Sequence, residues 1–124
     1  MSNSQIVNDF IAAWEALDAD SVLSFFAEGA VYHNIPMPVM TGHDQIARFI
    51  KPFLASAKSA RFIVHHQAEN DAGTVLNERT DVFELADGKT LSIRVMGVFE
   101  LSGGKITAWR DYFDMKAFES QTAG

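Results

Sequence analysis

Three ionisable side chains of this sequence fall where packing alone gives them no reason to be. Arg79 and Asp81 lie two apart in the stretch from Asn77 to Val82, and Asp111 lies between Trp109 and Phe113. Both stretches read as β-strands, on which alternate side chains share a face. Arg79 and Asp81 therefore share one face, and Asp111 shares another with Trp109 and Phe113. A carboxylate on such a face is expensive to bury without a partner. A guanidinium that reaches both acids supplies that partner. Two acids and one arginine in an apolar cavity can take a proton at one point and deliver one at another.

The elements that must position these groups follow from periodicity. Ile6, Val7, Phe10, Ile11, Trp14 and Leu17 recur at helical spacing behind Ser4, which reads as the N-cap. A second, short helix starts near Asp18 or Asp20, carries Val22, Leu23, Phe25 and Phe26, and ends at Glu28-Gly29. Ala30 to Ile35 reads as a short strand that Pro36 and Pro38 stop from pairing further. Thr41 to Asp44 precedes a third helix with Ile46, Phe49, Ile50, Phe53 and Leu54 on one side. Four strands are expected after it: Arg61 to Glu69, Thr74 to Leu85, Thr90 to Leu101 and Lys105 to Asp114. Residues 86–89 and 102–104 make the tight connections between the last three. A short helix from Met115 to about Ser120 ends the chain, with Asp114 as its cap.

Three helices followed by an antiparallel meander predict an α+β fold, a curved sheet wrapped round the helices to leave a pocket. Alternation then sorts the faces. Val75, Asn77, Arg79, Asp81, Phe83 and Leu85 share one. Leu91, Ile93, Val95, Gly97, Phe99 and Leu101 form a wholly apolar one. Thr107, Trp109, Asp111 and Phe113 share a third. Tyr32 and Asn34 point together, with His33 opposite. The pocket-side polar set is thus Tyr32, Asn34, Arg79, Asp81 and Asp111, amid walls such as Phe83, Ile93, Val95 and Phe113. A small apolar molecule with one reactive polar spot needs such a site.

Composition narrows the field. The chain has 124 residues, one domain (1–124) with one core. At 48% hydrophobic and 21% charged it is an ordinary globular sequence. A net charge of −6, with no run of Lys or Arg, speaks against a nucleic-acid partner. The absence of cysteine excludes disulfides and thiolate chemistry. No apolar run approaches the roughly 18 residues of a membrane span, and the start has no basic-then-apolar leader pattern, so no membrane partner and a cytoplasmic location are expected. His65 and His66, adjacent on a strand, should face opposite ways, with His66 on the side of Phe62 and Val64. No histidine pair has metal-binding spacing, so no metal is expected. No nucleophile elbow or phosphate loop is present.

Taken singly, each piece has an ordinary reading. Arg79 and Asp81 could be a same-face ion pair, Asp111 a charge at a solvated sheet edge, and Tyr32 and Asn34 the capped end of a strand. Glu78 and Glu84 alternate away from Arg79 as outer-face charges. The combination is more specific. The segments Val31 to Pro38, Asn77 to Val82, Gly97 to Leu101 and Trp109 to Asp114 resemble the limonene-1,2-epoxide hydrolase family over essentially the whole chain. That family has a cone-shaped, SnoaL-like fold related to nuclear transport factor 2 and ketosteroid isomerase. Its Tyr and Asn two apart, its Arg-x-Asp and the Asp of its Trp-Arg-Asp stretch match Tyr32, Asn34, Arg79, Asp81 and Asp111.

The resemblance implies that Asp111 is a general base acting on a water held by Tyr32 and Asn34. Asp81 would protonate the epoxide oxygen, and Arg79 would bridge the two acids. Water would attack directly to give a vicinal diol, with no metal, nucleotide or covalent intermediate and so no cofactor. It also implies a homodimer through the outer sheet face, where Met96 and Val98 are apolar among Arg94 and Glu100. Two alternatives stay open: an isomerase or cyclase of the same broad fold, which would not need the arginine bridge, and a non-catalytic binding module, which has no use for two buried carboxylates.

Overall fold

Val7, Phe10, Ile11 and Trp14 recur on one side of the first helix, and that side is buried. The computed structural model describes residues 2–123. In it this helix, α1, spans Asn3–Glu15 and packs chiefly on the third strand. Its cap is Ser2, whose hydroxyl accepts the Gln5 N–H, and not Ser4, which lies inside the first turn. The chain leaves α1 through Leu17, held at φ 58°. α2 (Ala19–Ser24) is capped by Asp18. It ends at Ser24 rather than at Glu28-Gly29, because Phe26 already pairs with Ile106 as the start of β1 (Phe26–Ile35). Gly29, at φ 73°, sits where the β1 register shifts, so its freedom serves a bulge and not a helix end.

β1 ends at Ile35, before the cis peptide to Pro36, and a two-residue strand, β2 (Met40–Thr41), folds back on it. α3 (Gly42–Ala55) buries Ile46, Ile50 and Leu54 and packs against β1. The meander follows as β3 (Ala57–Glu69), β4 (Val75–Leu85), β5 (Thr90–Ser102) and β6 (Lys105–Phe113). The β5–β6 turn is Gly103-Gly104, both at positive φ, the conformation a two-residue hairpin needs. α4 (Met115–Thr122) is capped by Asp114. It is fastened to β5 by Gln121, whose carboxamide takes the Ser92 N–H and donates to the Ser92 carbonyl.

The six strands form one curved mixed sheet in the order β2-β1-β6-β5-β4-β3, with β1 parallel to β6 and the rest antiparallel. That parallel pair brings Tyr32 beside Trp109 and Asn34 beside Asp111. Two bulges correct the alternation expected from sequence. One lies between Glu100 and Leu101 against β6; there Ile106 is buried and Thr107 is not part of the inner face. The other lies between Val64 and His66. His65 there bonds Thr80, His66 pairs with Glu78, and both are exposed, so the two do not take opposite faces and His66 does not line the pocket. The extra residue brings Gln67 into register with Asn77 instead. Among the described residues no helix is long and apolar enough to cross a membrane.

Candidate active site

The aromatic core fixes the floor of the site. Trp109 is stacked between Tyr32 (4.4 Å between ring centroids) and Phe99 (5.3 Å), and Phe10 of α1 meets it edge-on at 5.0 Å. Removing such a ring costs about 3–5 kcal/mol by itself. With both faces occupied, the indole cannot turn, and its Nε1–H is aimed at Asp111 Oδ1, 2.7 Å away. The other oxygen, Oδ2, accepts from Arg79 Nη2. Asp111 is therefore oriented at both oxygens.

Arg79 is fully buried on β4 and uses each edge of its guanidinium. Nε donates to Asp81 Oδ1 at 2.8 Å and Nη2 to Asp81 Oδ2 at 3.0 Å, a fork that fixes the plane. Nη2 also reaches Asp111, and Nη1 donates to Asn77 Oδ1 at 2.9 Å. The rings of Phe62, Trp109 and Phe99 surround its central carbon at 5.1, 5.7 and 5.9 Å. Space for the guanidinium comes from Gly97, which faces both Asn77 and Asp111 across its neighbouring strands. A Cβ there would stand 2.5 Å from Arg79 Nη1 and 2.7 Å from Asp111 Oδ1.

In front of this bridge lies a cavity of about 110 Å³. Tyr32, Asn34, Asp81 and Asp111 all line it; Arg79 does not, and stands behind the two carboxyls. The walls expected from sequence, Phe83, Ile93, Val95 and Phe113, line it as well. Others were not legible as site residues. Phe49 and Phe53 of α3 read as core, Phe118 lies on the short last helix, and Met37 follows the cis proline. Alternation places Trp109, Asn77 and Gly97 on strand faces, and all three fall in segments that carry the family resemblance, but neither gives any of them a role of its own. The signal for Gly97 was its place in an otherwise bulky apolar row, where a missing side chain marks a close approach.

Burial sets the protonation. Loss of water raises the carboxyl of Asp81 to about 6, against the opposing pull of Arg79. Burial also pushes Asp111 up, opposed by Arg79 and the Trp109 N–H. Burial works against the Arg79 charge, but the two carboxyls outweigh it and hold the guanidinium firmly protonated. Burial and the nearby Asp111 keep Tyr32 a neutral phenol. One fixed positive charge thus serves two acids that both resist ionisation. Among the described residues no group of three His, Cys, Asp or Glu side chains is gathered as a metal site.

Residues 1–123 match the model of the limonene-1,2-epoxide hydrolase catalytic domain. The chain belongs to the limonene-1,2-epoxide hydrolase family. It is 30% identical over 109 residues to epoxide hydrolase EphG of Mycobacterium tuberculosis, covering 88% of this chain and 71% of that protein. A solved M. tuberculosis epoxide hydrolase of the limonene-epoxide-hydrolase-like type superposes with a TM-score of 0.81 at 28% identity, over 94% of this chain and 86% of that one. The fold reaches further. The epoxide hydrolase/cyclase-like enzyme SalBIII of salinomycin pyran-ring formation has a TM-score of 0.83 at 17% identity, covering 93% and 92% of the two chains, a likeness of fold alone.

Proposed function

We propose that this member of the family is a cofactor-independent epoxide hydrolase that adds water in one step to a small apolar epoxide. The observation that carries the reading is the Arg79 bridge between Asp81 and Asp111, both of which open into an apolar cavity. Two carboxyls around one cation favour the form that holds a single proton. In that form Asp81 carries it and Asp111 is the carboxylate.

Water enters beside Tyr32 and Asn34, whose side chains hold it against Asp111. As its oxygen bonds to one ring carbon, Asp111 takes a water proton and the C–O bond of the ring breaks. The released oxygen takes the Asp81 proton, leaving a neutral diol. The proton now on Asp111 returns to Asp81 through the water that refills the cavity lined by both carboxyls, and the pair is reset while Arg79 stays protonated. Arg79 touches no substrate; it fixes the carboxyls and keeps the total charge of the pair low.

Limonene oxide, cyclohexene oxide and styrene oxide, each incubated with the purified protein and assayed for diol, test the reading. Asp111→Asn is nearly isosteric yet cannot accept the proton, so the variant should fold and lose about 10²- to 10⁴-fold in rate. Full activity in that variant would remove Asp111 from the mechanism. We also infer a homodimer through the outer sheet face, on which Met96 and Tyr112 are 43% and 45% exposed. Light scattering on the eluting protein measures its mass directly.

A further inference from the structure

One row of side chains crosses the sheet at right angles to the strands. Asn34 of β1 is in register with Asp111 of β6, Asp111 with Gly97 of β5, Gly97 with Asn77 of β4, and Asn77 with Gln67 of β3. Every member is polar except the glycine, and the guanidinium of Arg79 fills the space the glycine leaves. The half of the row beyond Gly97 has no part in the proposed reaction, because neither Asn77 nor Gln67 lines the cavity. Asn77 is nonetheless almost wholly buried, and a buried carboxamide needs partners on both of its ends.

Its partners form a chain with one direction. Arg79 Nη1 donates to Asn77 Oδ1 at 2.9 Å, and Asn77 Nδ2 donates to Gln67 Oε1 at 3.1 Å. Gln67 Nε2 in turn donates to Asn8 Oδ1 at 3.0 Å and to the Ser4 carbonyl at 3.4 Å, both on α1. Each amide presents its oxygen toward the cation and its N–H away from it. The dipoles therefore add, and each bond polarises the next. The far end is firm, since the same stretch of α1 also bonds β3 through Ser4 N–H to Glu69 and meets Gly73 through Asn3.

We propose that Asn77 and Gln67 are positioning residues, a relay of two carboxamides that locks the third edge of the Arg79 guanidinium to helix α1. The carboxyls alone leave one edge of the guanidinium unheld. Asp81 grips Nε and Nη2, and Asp111 pulls Nη2 from β6, two strands away. Without a counterpart on Nη1, the guanidinium can turn toward either carboxyl and lengthen its bond to the other. The counterpart must be neutral. A third carboxylate would compete for the one positive charge and draw a proton into the cluster. An amide oxygen holds the edge without adding charge. The groups that set protonation around the guanidinium then remain Asp81, Asp111 and the phenol of Tyr32.

This inference rests on the proposed hydrolysis, and its test has one arm that reads activity and one that does not. The first measures kcat and KM against pH, on whichever of the three epoxides wild type hydrolyses fastest, for Asn77→Leu, Gln67→Met, the double variant and Asn77→Asp. A hydrogen bond to a charged group corresponds to about 10- to 100-fold in rate. Asn77→Leu should lower kcat by that factor with KM little changed. Gln67→Met, at a half-buried site that tolerates the change, should lose less. The double variant should be no slower than Asn77→Leu, because Gln67 acts only through Asn77. Asn77→Asp should move the acid limb of the kcat profile to higher pH. The second arm follows the carboxyl carbons of Asp81 and Asp111 by NMR titration, with no substrate present. Asn77→Leu and Gln67→Met should each displace both titrations in the same sense. Displaced titrations in a protein that makes no diol would support the relay and sink the hydrolase reading. Unchanged titrations with a wild-type pH profile in both variants, or rate losses that simply multiply in the double variant, would overturn the relay while leaving the hydrolase reading in place.

Discussion

Gly97 stands directly opposite Asp111 across the β5–β6 pair, and Arg79 crosses from β4 over the space between them. Any side chain at 97 would collide with the bridge itself. The backbone of Gly97 needs no special φ, so the demand is for room and not for flexibility. Gly97→Ala is therefore expected to push Arg79 Nη1 off its seat and to part the guanidinium from Asp111. Overpacking of this kind costs about 1–3 kcal/mol in stability. Displacing a catalytic constellation by about 1 Å costs roughly 10²-fold in rate. Thermal melts and steady-state rates measured together separate the two; a variant with wild-type turnover would show that the bridge tolerates displacement.

Arg79→Lys keeps the charge and loses the fork. An ammonium cannot offer parallel donors to Asp81 while also reaching Asp111 and Asn77, as the guanidinium does. In a site this buried, a lysine also releases its proton more readily than an arginine does. The variant is expected to lose at least about 10²-fold in kcat, with a smaller change in KM, because Arg79 does not line the cavity. Steady-state kinetics at several pH values decide it. Full turnover would reduce the bridge to a simple ion pair.

Asp81 links the site to stability. Its carboxyl is raised to about 6 in the folded protein, above its ordinary value of 3.8. Between those values the folded chain holds a proton that the unfolded chain has released. Its contribution to stability is therefore complete below the lower value and is lost as pH rises through about 6. The size is on the order of 3 kcal/mol. Asp111 is pushed the same way, so the pair acts in one direction. Denaturant unfolding between pH 4 and 7 should show wild type losing stability as pH rises, and Asp81→Asn should flatten that slope. An equal slope in both proteins would contradict a raised Asp81.

The sequence made the strand faces legible because β4 and β5 alternate without interruption. Arg79, Asp81 and the walls Phe83, Ile93 and Val95 could thus be placed on the correct side. Where alternation broke, the reading broke too. The bulges beside His66 and Thr107 each insert one residue, and nothing in residue type marks the insertion. Gln67 was lost to the first of these, since strict alternation turns it away from Asn77. The end of α2 was misplaced because Phe25 and Phe26 suit a helix face and a strand equally well. The contribution of α3 and α4 to the cavity was invisible for another reason. Which aromatic residues line a pocket and which fill a core depends on how elements pack, and spacing within one element does not carry that.

The reaction order can be decided from where an oxygen atom goes. If Asp111 is a base, the oxygen added to the diol comes from solvent on the first turnover. If it is a nucleophile, the first diol takes a carboxylate oxygen through an ester, and solvent oxygen enters the protein instead. Several features of the site favour the base. Both oxygens of Asp111 are held by donors, from Trp109 and Arg79, and Asn34 is beside it in register to hold a water. An ester at Asp111 would need a second base for its hydrolysis. Asp81 is the nearest candidate in the bridge, and it is gripped by the Arg79 fork. A single turnover with enzyme in excess in H₂¹⁸O, read by mass spectrometry, should give labelled diol and unlabelled protein. Unlabelled diol with one labelled oxygen in the protein would replace the one-step route by a covalent one, while the assignment as an epoxide hydrolase would stand.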